Sequence, residues 1–411
     1  MNSPISGRAA GVAAMAVSAL AVAAAGSPPS TDINLTAFAN GALIESSTSD
    51  YGGSWEARWI TDENPATGWA SEKGAKGPFS IVISLTERSE VHSLQFDTAA
   101  SEIEARAAKD VEVSISDTSA SAGFAPLTTV ALQSGADKQP FAIAKPGSGR
   151  WIKLTVRTNH GDADYSEIME FRALGKPVTT TPMPTNLSGT FHSEAYGDFH
   201  LQQDGAALSG CYEYNEGLIQ GGAESHLMRL TWREGERSGP AIMVLKRDGK
   251  SFEGWWADKD SADWHPNWDL KKTGTAVGAC PHWNPKAASG NIVATELAGA
   301  GRVRLYGINF DVDSGHLRDD AKPAVDQLSA ALKANPGWNV SIEGHTDSSG
   351  NAAHNLELSR LRAQSVKASL VAAGIAATRL TTTGLGQTKP AASNDTEAGR
   401  AQNRRVEVVR Q

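Results

Sequence analysis

An acidic and a basic side chain near the end of the chain have the types and spacing that suit a zwitterion. Asp347 follows residues 339–344, an alternating run stopped by a glycine, so its carboxylate is expected in a turn at a strand end. Arg362 lies on the helix predicted next, on the face of the apolar stripe, where a guanidinium needs an anionic partner. The two side chains would receive the ammonium and the carboxylate of one ligand. The alternative is a structural ion pair or a turn-capping set.

The segments that position this pair alternate between strand and helix patterns. Residues 303–310 and 339–344 alternate in polarity, which predicts two strands. A helix is predicted between them because apolar residues recur at helical spacing. These residues are Leu317, Ala321, Val325, Leu328 and Leu332. A second helix is predicted over 353–373, ended by Gly374 at its C-cap. The region is therefore expected to be an α/β domain.

Spaced motifs in residues 303–411 closely resemble the outer membrane protein A-like C-terminal domain. The matching segments are 344–350, 355–363, 374–375, 379–380, 384–386 and 394–406. The resemblance implies a β/α domain that binds the diaminopimelate residue of peptidoglycan stem peptides without a covalent bond. By motif position, Asp347 would hold the amine of diaminopimelate and Arg362 its carboxylate. The resemblance implies further cleft residues at Thr346, Asn355, Arg404, Phe310 and Asp311.

Residues 30–175 show short alternating segments with Gly, Asp and Ser between them, which predicts a β-sandwich. The segments 62–71, 111–118, 150–154 and 170–175 resemble the discoidin, or coagulation-factor type C, family. That family folds as a jelly roll and commonly binds glycans, lipid head groups or proteins through loops at one end. The resemblance therefore implies a glycan or an envelope protein as the partner of this domain.

Many discoidin-like domains hold a structural calcium ion, and four residues resemble that set of oxygen ligands by position. They are Asp62, Asn64, Thr67 and Glu170. The alternative is an Asp/Asn turn with a surface glutamate. Aromatic side chains in the predicted loops are candidates for stacking on sugar: Tyr51, Trp55, His160 and Tyr165. Trp69 is expected in the core.

Residues 187–283 predict a second all-β domain, with strands that end in Asp-Gly turns. Its tryptophans are Trp255, Trp256, Trp264 and Trp268, beside Asp258, Asp260 and Asp263. This cluster is either a sugar platform or ion site, or core tryptophans with solvated acids. Cys211 and Cys280 are the two cysteines of the chain. In an exported protein they suggest one disulfide, with two separate buried thiols as the alternative.

The N-terminus has the pattern of an export signal. Arg8 precedes an uncharged apolar run, and Ala-Ala-Ala at 23–25 offers a cleavage site, so residues 1–25 predict a signal peptide. An uncleaved membrane anchor is the alternative. Residues 176–186, rich in Pro and Thr, and residues 284–302 predict linkers. The expected location is the periplasm, with association to the outer membrane or cell surface also open.

Composition and motifs restrict the class of function. A formal net charge of −8 does not favour nucleic-acid binding, which usually needs a basic face. The sequence holds no His-Glu-x-x-His and no Gly-x-Ser-x-Gly, so no enzyme and no required cofactor are predicted. We therefore expect a binding protein that tethers β-sandwich modules to peptidoglycan. The alternative is a cell-envelope hydrolase whose middle domain is catalytic and whose flanking domains target it.

Overall fold

The computed structural model describes residues 32–411 except 180, 183, 185, 260, 262, 284–291, 306–307, 312 and 319–320. The predicted signal peptide and the first part of the predicted 284–302 linker lie outside the described residues. The described chain forms three β-containing domains in order, here called the first domain, the barrel and the C-terminal domain. Within the described residues, no helix has the length and apolar character to cross a membrane.

The first domain is the predicted β-sandwich. Its strands are β1 (Ile33–Asn34), β2 (Leu43–Ser47), β3 (Trp69–Ala70), β4 (Phe79–Asp97), β5 (Asp110–Ser116), β6 (Ala125–Ala131), β7 (Gln139–Val156), β8 (Glu167–Ile168) and β9 (Glu170–Pro177). The main sheet has the order β1-β9-β4-β7-β5-β6, and β3 pairs with β8. Strand β4 pairs first with β2 and later with β9, and its register shifts at Ser84/Ser89. This change of partner bends the long strand around the core, in which Trp69 is fully buried.

The middle domain is a closed antiparallel barrel in which each strand pairs with the next along the chain. Its strands are β10 (Gly189–Ser193), β11 (Gly197–Asp204), β12 (Ala207–Tyr212), β13 (Gly217–Glu224), β14 (Leu227–Glu234), β15 (Arg237–Leu245), β16 (Ser251–Trp256) and β17 (Leu270–Gly274). Strand β17 returns to β10 and closes the ring, which removes the free sheet edges. The interior is filled by apolar side chains, including Phe199, Trp232 and Trp268.

The sequence of strand β15 is apolar at successive positions because both faces of the strand are buried. Ala241, Met243 and Leu245 belong to the core of the barrel. Ile242 and Val244 point the other way, because successive strand residues face opposite sides, and they pack in a cluster shared with the first domain. Both faces of this strand are covered.

The C-terminal domain has the predicted α/β fold. Its elements are α1 (Ile292–Gly299), β18 (Arg302–Leu305), α2 (Lys322–Ala334), β19 (Val340–His345), α3 (Ala352–Ala372), β20 (Leu380–Gly386), α4 (Glu397–Asn403) and β21 (Val406–Arg410). The sheet order is β18-β21-β19-β20, with β19 and β20 parallel. Helix α3 starts at Asn351, whose side chain accepts the N–H groups of Ala353 and His354. The C-cap is Ala373 rather than the predicted Gly374, which follows it with a φ of 93°, in the left-handed region that favours glycine.

The structure differs from the sequence-based boundaries in three places. The second part of the predicted 284–302 linker is helix α1, whose Val293 and Leu297 are buried in the C-terminal core. Strand β18 ends at Leu305 rather than at 310, and Leu317 precedes helix α2 instead of lying in its stripe. In the predicted 176–186 linker, the backbone and hydroxyl of Thr181 donate to the carboxylate of Glu87. Short helical and extended segments next to linkers have weak periodicity, which explains these differences.

All three domains meet at one apolar cluster. It contains Phe38, Ala39, Leu43 and Trp59 from the first domain, Leu227, Ile242, Val244, Trp255 and Trp264 from the barrel, and Ala398 from helix α4. Phe38 stacks on Trp255 with 4.5 Å between ring centroids. The domains are therefore packed against one another through side chains that would otherwise be exposed apolar surface.

Candidate functional site

The first element of the candidate site is the turn that follows β19. Gly344 lies where helix α3 crosses the sheet, and a Cβ at this position would come within 2.1 Å of the Ser359 carbonyl oxygen. Glycine therefore lets the helix approach the strand closely. Just beyond it, the Thr346 amide donates to the Gly386 carbonyl at 2.9 Å, which extends the contact with β20. The strand end is held in place on two sides, so the next residue, Asp347, has a defined position.

Asp347 is nearly buried and both carboxylate oxygens are engaged. Oδ1 accepts the backbone N–H of Ser349 at 2.9 Å. Oδ2 accepts Nη1 of Arg404 at 2.6 Å. A carboxylate held by a guanidinium and a backbone amide has a fixed orientation. Each oxygen can still accept a further hydrogen bond from a ligand.

Asn355, at the start of helix α3, fastens this turn to the helix. Its side-chain amide donates to the carbonyl oxygens of Asp347 and Ser349 at 3.2 and 2.8 Å, and to Oε1 of Gln387 at 3.0 Å. Asn355 is buried, and these internal acceptors use its donor capacity. Asn355 therefore holds the backbone of the turn, and with it Asp347, against the start of helix α3.

Arg362 lies seven residues after Asn355, about two turns further along the same face of helix α3. Its Nε donates to the Ser314 carbonyl at 3.1 Å, and its guanidinium lies over the Phe310 ring at 5.1 Å from the centroid. Burial lowers the pKa of Arg362, the charge of Arg404 lowers it further, and Asp313 and Asp347 raise it. Among the described residues, no carboxylate forms an ion pair with Arg362. The group formed by Asp347, Asn355, Arg362 and Arg404 is called the Asp347 cleft below.

The remaining residues predicted for this cleft have different environments. Thr346 is buried, and its hydroxyl donates to the Asp347 carbonyl at 2.9 Å. Phe310 contributes its ring to the Arg362 guanidinium. Asp311 is exposed and accepts from Nδ1 of His316 at 2.9 Å. The structure thus brings Thr346 and Phe310 to the cleft, while the side chain of Asp311 is engaged with a surface histidine.

In the first domain, the predicted calcium ligands form a turn next to a buried glutamate. Asp62 accepts the Asn64 amide at 3.0 Å and the Thr67 hydroxyl at 2.8 Å. Glu170 is fully buried, and neither carboxylate oxygen has a hydrogen-bond partner in the described structure. Arg172 approaches one of these oxygens at 3.6 Å. Burial raises the pKa of Glu170 well above its usual range, and the charge of Asp62 raises it further.

This arrangement is compatible with a bound cation and does not match a surface glutamate. Two buried carboxylate oxygens without donors are the kind of ligand that calcium prefers. The side-chain oxygen of Asn64, by contrast, accepts the Ala66 amide at 3.1 Å, so it serves the turn. Asp62 and Glu170 are therefore the two predicted residues whose chemistry fits a calcium ion best.

Comparison with known families assigns two of the three domains. The OmpA family model matches residues 309–404, and the F5/8 type C domain model matches residues 44–171. The chain therefore carries an OmpA family domain and an F5/8 type C domain. These assignments confirm both resemblances found in the sequence.

The similar proteins share mainly the OmpA family domain. Outer membrane porin F of Pseudomonas fluorescens is 44% identical over 101 residues, 25% of this chain and 31% of that protein. Outer membrane protein A of Bordetella avium is 43% identical over 99 residues, 24% of this chain and 51% of that protein. The peptidoglycan-binding protein ArfA of Mycobacterium tuberculosis is 42% identical over 102 residues, 25% of this chain and 31% of that protein. The chain thus spans about half or less of the length of these relatives.

Among solved structures, the F5/8 type C domain aligns with the family 32 CBM from C. perfringens NanJ in complex with galactose. The identity is 16% and the TM-score 0.30, over 35% of this chain and 97% of that one. The peptidoglycan-associated lipoprotein from Burkholderia pseudomallei is 33% identical with a TM-score of 0.24, over 27% of this chain and 89% of that one.

Two residues that sequence reasoning missed contact the cleft of the OmpA family domain. Gln387 accepts from Asn355, and Glu397 lies 3.8 Å from the Arg404 guanidinium. The signal for Gln387 is its place just after β20. Strands β19 and β20 are parallel, so residues that follow them meet at the same sheet edge.

The aromatic candidates of the F5/8 type C domain are only partly brought together. Tyr51 is 56% exposed and contacts Tyr165 edge-to-face at 5.8 Å. The guanidinium of Arg106 lies over Tyr165 at 4.5 Å, and a cavity of about 170 Å³ lies beside that tyrosine. His160 does not join these aromatic side chains, because its ring contacts the backbone, with Nε2 at 3.0 Å from the Leu132 carbonyl oxygen. Trp55 lies in a short 3-10 turn at 53–55.

In the barrel, Trp268 belongs to the core, whereas Trp255 and Trp264 pack in the cluster shared with the other domains. Trp255 and Trp268 are each 1% exposed, whereas Trp256 and Trp264 are partly buried against the apolar clusters. Asp258 pairs with Arg237 at 2.9 Å, Asp263 is exposed, and Asp260 lies outside the described residues. Cys211 and Cys280 form the predicted disulfide. The pattern agrees with core tryptophans and solvated acids.

Proposed function

We propose that this protein binds peptidoglycan without a covalent bond, through the diaminopimelate of its stem peptide. The observation that carries the proposal is the charge of the Asp347 cleft. Asp347 is balanced by Arg404, while Arg362 is partly buried beside them with no carboxylate ion pair among the described residues. A ligand that brings its own carboxylate would supply the missing charge.

The proposed binding mode uses each group for one task. The ligand carboxylate pairs with the Arg362 guanidinium through two parallel hydrogen bonds. The ligand ammonium donates to the carboxylate of Asp347, which Arg404 and the Ser349 amide hold in position. Asn355 fixes the distance between the two by joining the turn to helix α3. The free amino-acid centre of diaminopimelate carries both charges on one carbon, so one small group would meet both side chains.

The family context supports the wall assignment. A relative that shares 42% identity over 102 residues of the chain is named a peptidoglycan-binding protein. Other relatives are named outer membrane proteins, so we propose a location in the bacterial envelope, on the periplasmic side, after export by the predicted signal peptide. The association with the wall would tether the two β-domains there.

For the F5/8 type C domain we propose a glycan or envelope-protein ligand and a structural calcium ion. The exposed Tyr51 beside Tyr165 offers an aromatic surface for a sugar ring. Calcium would bind near Asp62 and Glu170, where it would neutralise two buried carboxylates, of which Glu170 has Arg172 at 3.6 Å. This ion would stabilise the loop.

The decisive experiment measures binding to purified sacculi that contain diaminopimelate. Asp347→Ala and Arg362→Ala should each abolish co-sedimentation while leaving the circular dichroism spectrum unchanged. Removing one partner of a close charged contact costs about 2–5 kcal/mol, which is enough to remove a weak association. Binding by both variants at the level of the unmodified protein would show that the Asp347 cleft is not the site.

Matched controls exist in the same domain. Arg360 lies on helix α3 but is exposed and pairs with Glu357, and Asp326 is exposed on helix α2 and pairs with Lys322. Arg360→Ala and Asp326→Ala change the net charge in the same way as the test variants. They should sediment with sacculi like the unmodified chain.

A further inference from the structure

We infer that Glu63, in the first domain, is a positioning residue for the Asp347 cleft in the C-terminal domain. The inference rests on the function proposed above. It means that the wall-binding site is completed by contact between the two domains, because a side chain of the first domain holds the helix that precedes Arg404.

Glu63 reaches across the domain boundary to the start of helix α4. Its Oε2 accepts the backbone N–H of Glu397, and its Oε1 accepts from Nδ2 of Asn34 at 3.3 Å. The same carboxylate lies 3.8 Å from Nη2 of Arg400. A carboxylate at the first turn of a helix satisfies a free N–H group and interacts favourably with the helix dipole.

From Glu63 a continuous series of charged contacts leads into the cleft. Arg400 Nη2 lies 2.9 Å from Oε1 of Glu397. Oε2 of Glu397 lies 3.8 Å from Nη1 of Arg404, and the same nitrogen donates to Asp347 at 2.6 Å. Acid and base alternate along the whole path. Moving helix α4 would therefore move the guanidinium that orients Asp347.

Burial makes these contacts stronger than surface ion pairs. The side chains of Glu63 and Glu397 are only 6% and 5% exposed. Water therefore screens them little, and loss of one charge would leave its partner buried and unbalanced. Ala398 of helix α4 also packs with Phe38 and Trp255 in the apolar cluster where the three domains meet. Apolar packing holds helix α4 in place, and Glu63 holds the end of the helix that faces the first domain.

The backbone at Glu63 supports a specific role. Its φ of 63° is in the left-handed region, which is unfavourable for a residue with a long side chain. The conformation directs Glu63 away from the Asp62 turn and toward helix α4. Outliers of this kind persist where the surroundings hold them in place.

The test uses the full chain and isothermal titration with a soluble disaccharide tripeptide that contains diaminopimelate. Glu63→Ala should weaken binding by about 3- to 30-fold, the range of typical coupling between sites. Glu63→Gln keeps an oxygen for the Glu397 amide but loses the charge beside Arg400, so it should recover only part of the affinity. Glu72→Ala, an exposed acid of the same domain, is the matched control and should bind like the unmodified chain.

Binding measured in a chain that carries Arg404→Ala distinguishes a positioning role of Glu63 from a general loss of stability. If Glu63 acts through Arg404, adding Glu63→Ala to Arg404→Ala should weaken binding no further, whereas a merely structural defect would weaken both backgrounds equally. Affinity of Glu63→Ala within twofold of the unmodified chain, with Asp347→Ala inactive, would overturn the inference alone. Absence of binding by the unmodified chain would instead overturn the proposed function. If Glu63→Ala fails to fold, Arg400→Gln replaces it: a loss of about 3- to 30-fold is expected, and affinity within twofold of the unmodified chain would contradict the inference.

Discussion

The two candidate sites of this protein have opposite imbalances of charge. In the Asp347 cleft, one carboxylate pairs with Arg404 at 2.6 Å, and Arg362 remains as an additional cation. In the first domain, Asp62 and Glu170 are buried near each other, and Arg172 approaches Glu170 only at 3.6 Å. One site is short of an anion and the other is short of a cation.

The comparison shows how an unbalanced charge indicates the kind of ligand. A guanidinium cannot lose its proton, so Arg362 stays charged, and an anionic group of a ligand would supply the ion pair it lacks. A carboxylate has two routes, because it can bind a cation or take up a proton, and burial raises the pKa of Glu170 accordingly. The two sites should therefore respond differently to ligand chemistry, metal ions and pH.

The largest effect is expected when the ligand loses its carboxylate. A stem peptide with lysine in place of diaminopimelate keeps the ammonium for Asp347 but has no partner for Arg362. Charge-assisted bidentate contacts suggest a loss of up to about 3 kcal/mol, or roughly 100-fold in Kd. In Arg362→Ala the two peptides should bind with similar, weak affinity. A full-length chain that binds both peptides equally in titration calorimetry would contradict the assignment of Arg362.

Calcium should raise the melting temperature of the first domain. An ion present at about a hundredfold excess over its Kd adds roughly 2.7 kcal/mol, which corresponds to a rise of roughly 5–10 °C for a domain of this size. Differential scanning calorimetry with calcium and with chelator measures the shift. Glu170→Gln should remove it, whereas Glu102→Gln, at an exposed acid of the same domain, should retain it. An equal melting temperature in calcium and in chelator would dismiss the ion.

Acid should weaken the C-terminal domain through His345, the residue two before Asp347. Burial lowers the pKa of His345 to about 4; the charges of Arg405, Arg302 and Lys389 lower it and Glu407 raises it. The folded state therefore stays neutral while the unfolded chain gains a proton below about 6.5. Stability is complete above that pH and falls by about 1.4 kcal/mol per pH unit as the pH drops toward 4. Urea unfolding at several pH values measures this slope, which should disappear in His345→Gln.

The sequence predicted the residues of the Asp347 cleft, Arg404 among them, but not the contact of Arg404 with Asp347 or that of Glu63 with Glu397. Asp347 and Arg362 belong to one short segment with recognisable motifs and local spacing. Arg404, which pairs with Asp347, is 57 residues away, and Glu63 is 334 residues from Glu397. Contacts over such separations depend on how domains pack, and no local periodicity records that packing.

The all-β class of the middle domain was predictable from local patterns in the sequence. The closure of its strands into a barrel was not. Alternation in residues 187–283 indicates strands, yet the pairing of β10 with β17 depends on the first and last strands meeting in space. Helix α1 was missed because it has eight residues and follows a segment without periodic pattern. The burial of Glu170 was also hidden, since one glutamate at the start of a strand has the same local pattern whether exposed or buried.

The smallest expected effect concerns the ring beneath Arg362. Phe310→Leu keeps an apolar side chain but removes the aromatic face that lies 5.1 Å from the guanidinium. Cation–π contacts contribute about 0.5–1 kcal/mol at partly exposed sites, so muropeptide affinity should fall roughly 2- to 5-fold. Phe310→Tyr retains the face and should bind like the unmodified chain. Since the ring orients Arg362 and not Asp347, the loss should concern the diaminopimelate peptide and leave the weak lysine peptide nearly unchanged. An equal loss for both peptides would mean that Phe310 supports the fold of the cleft as a whole.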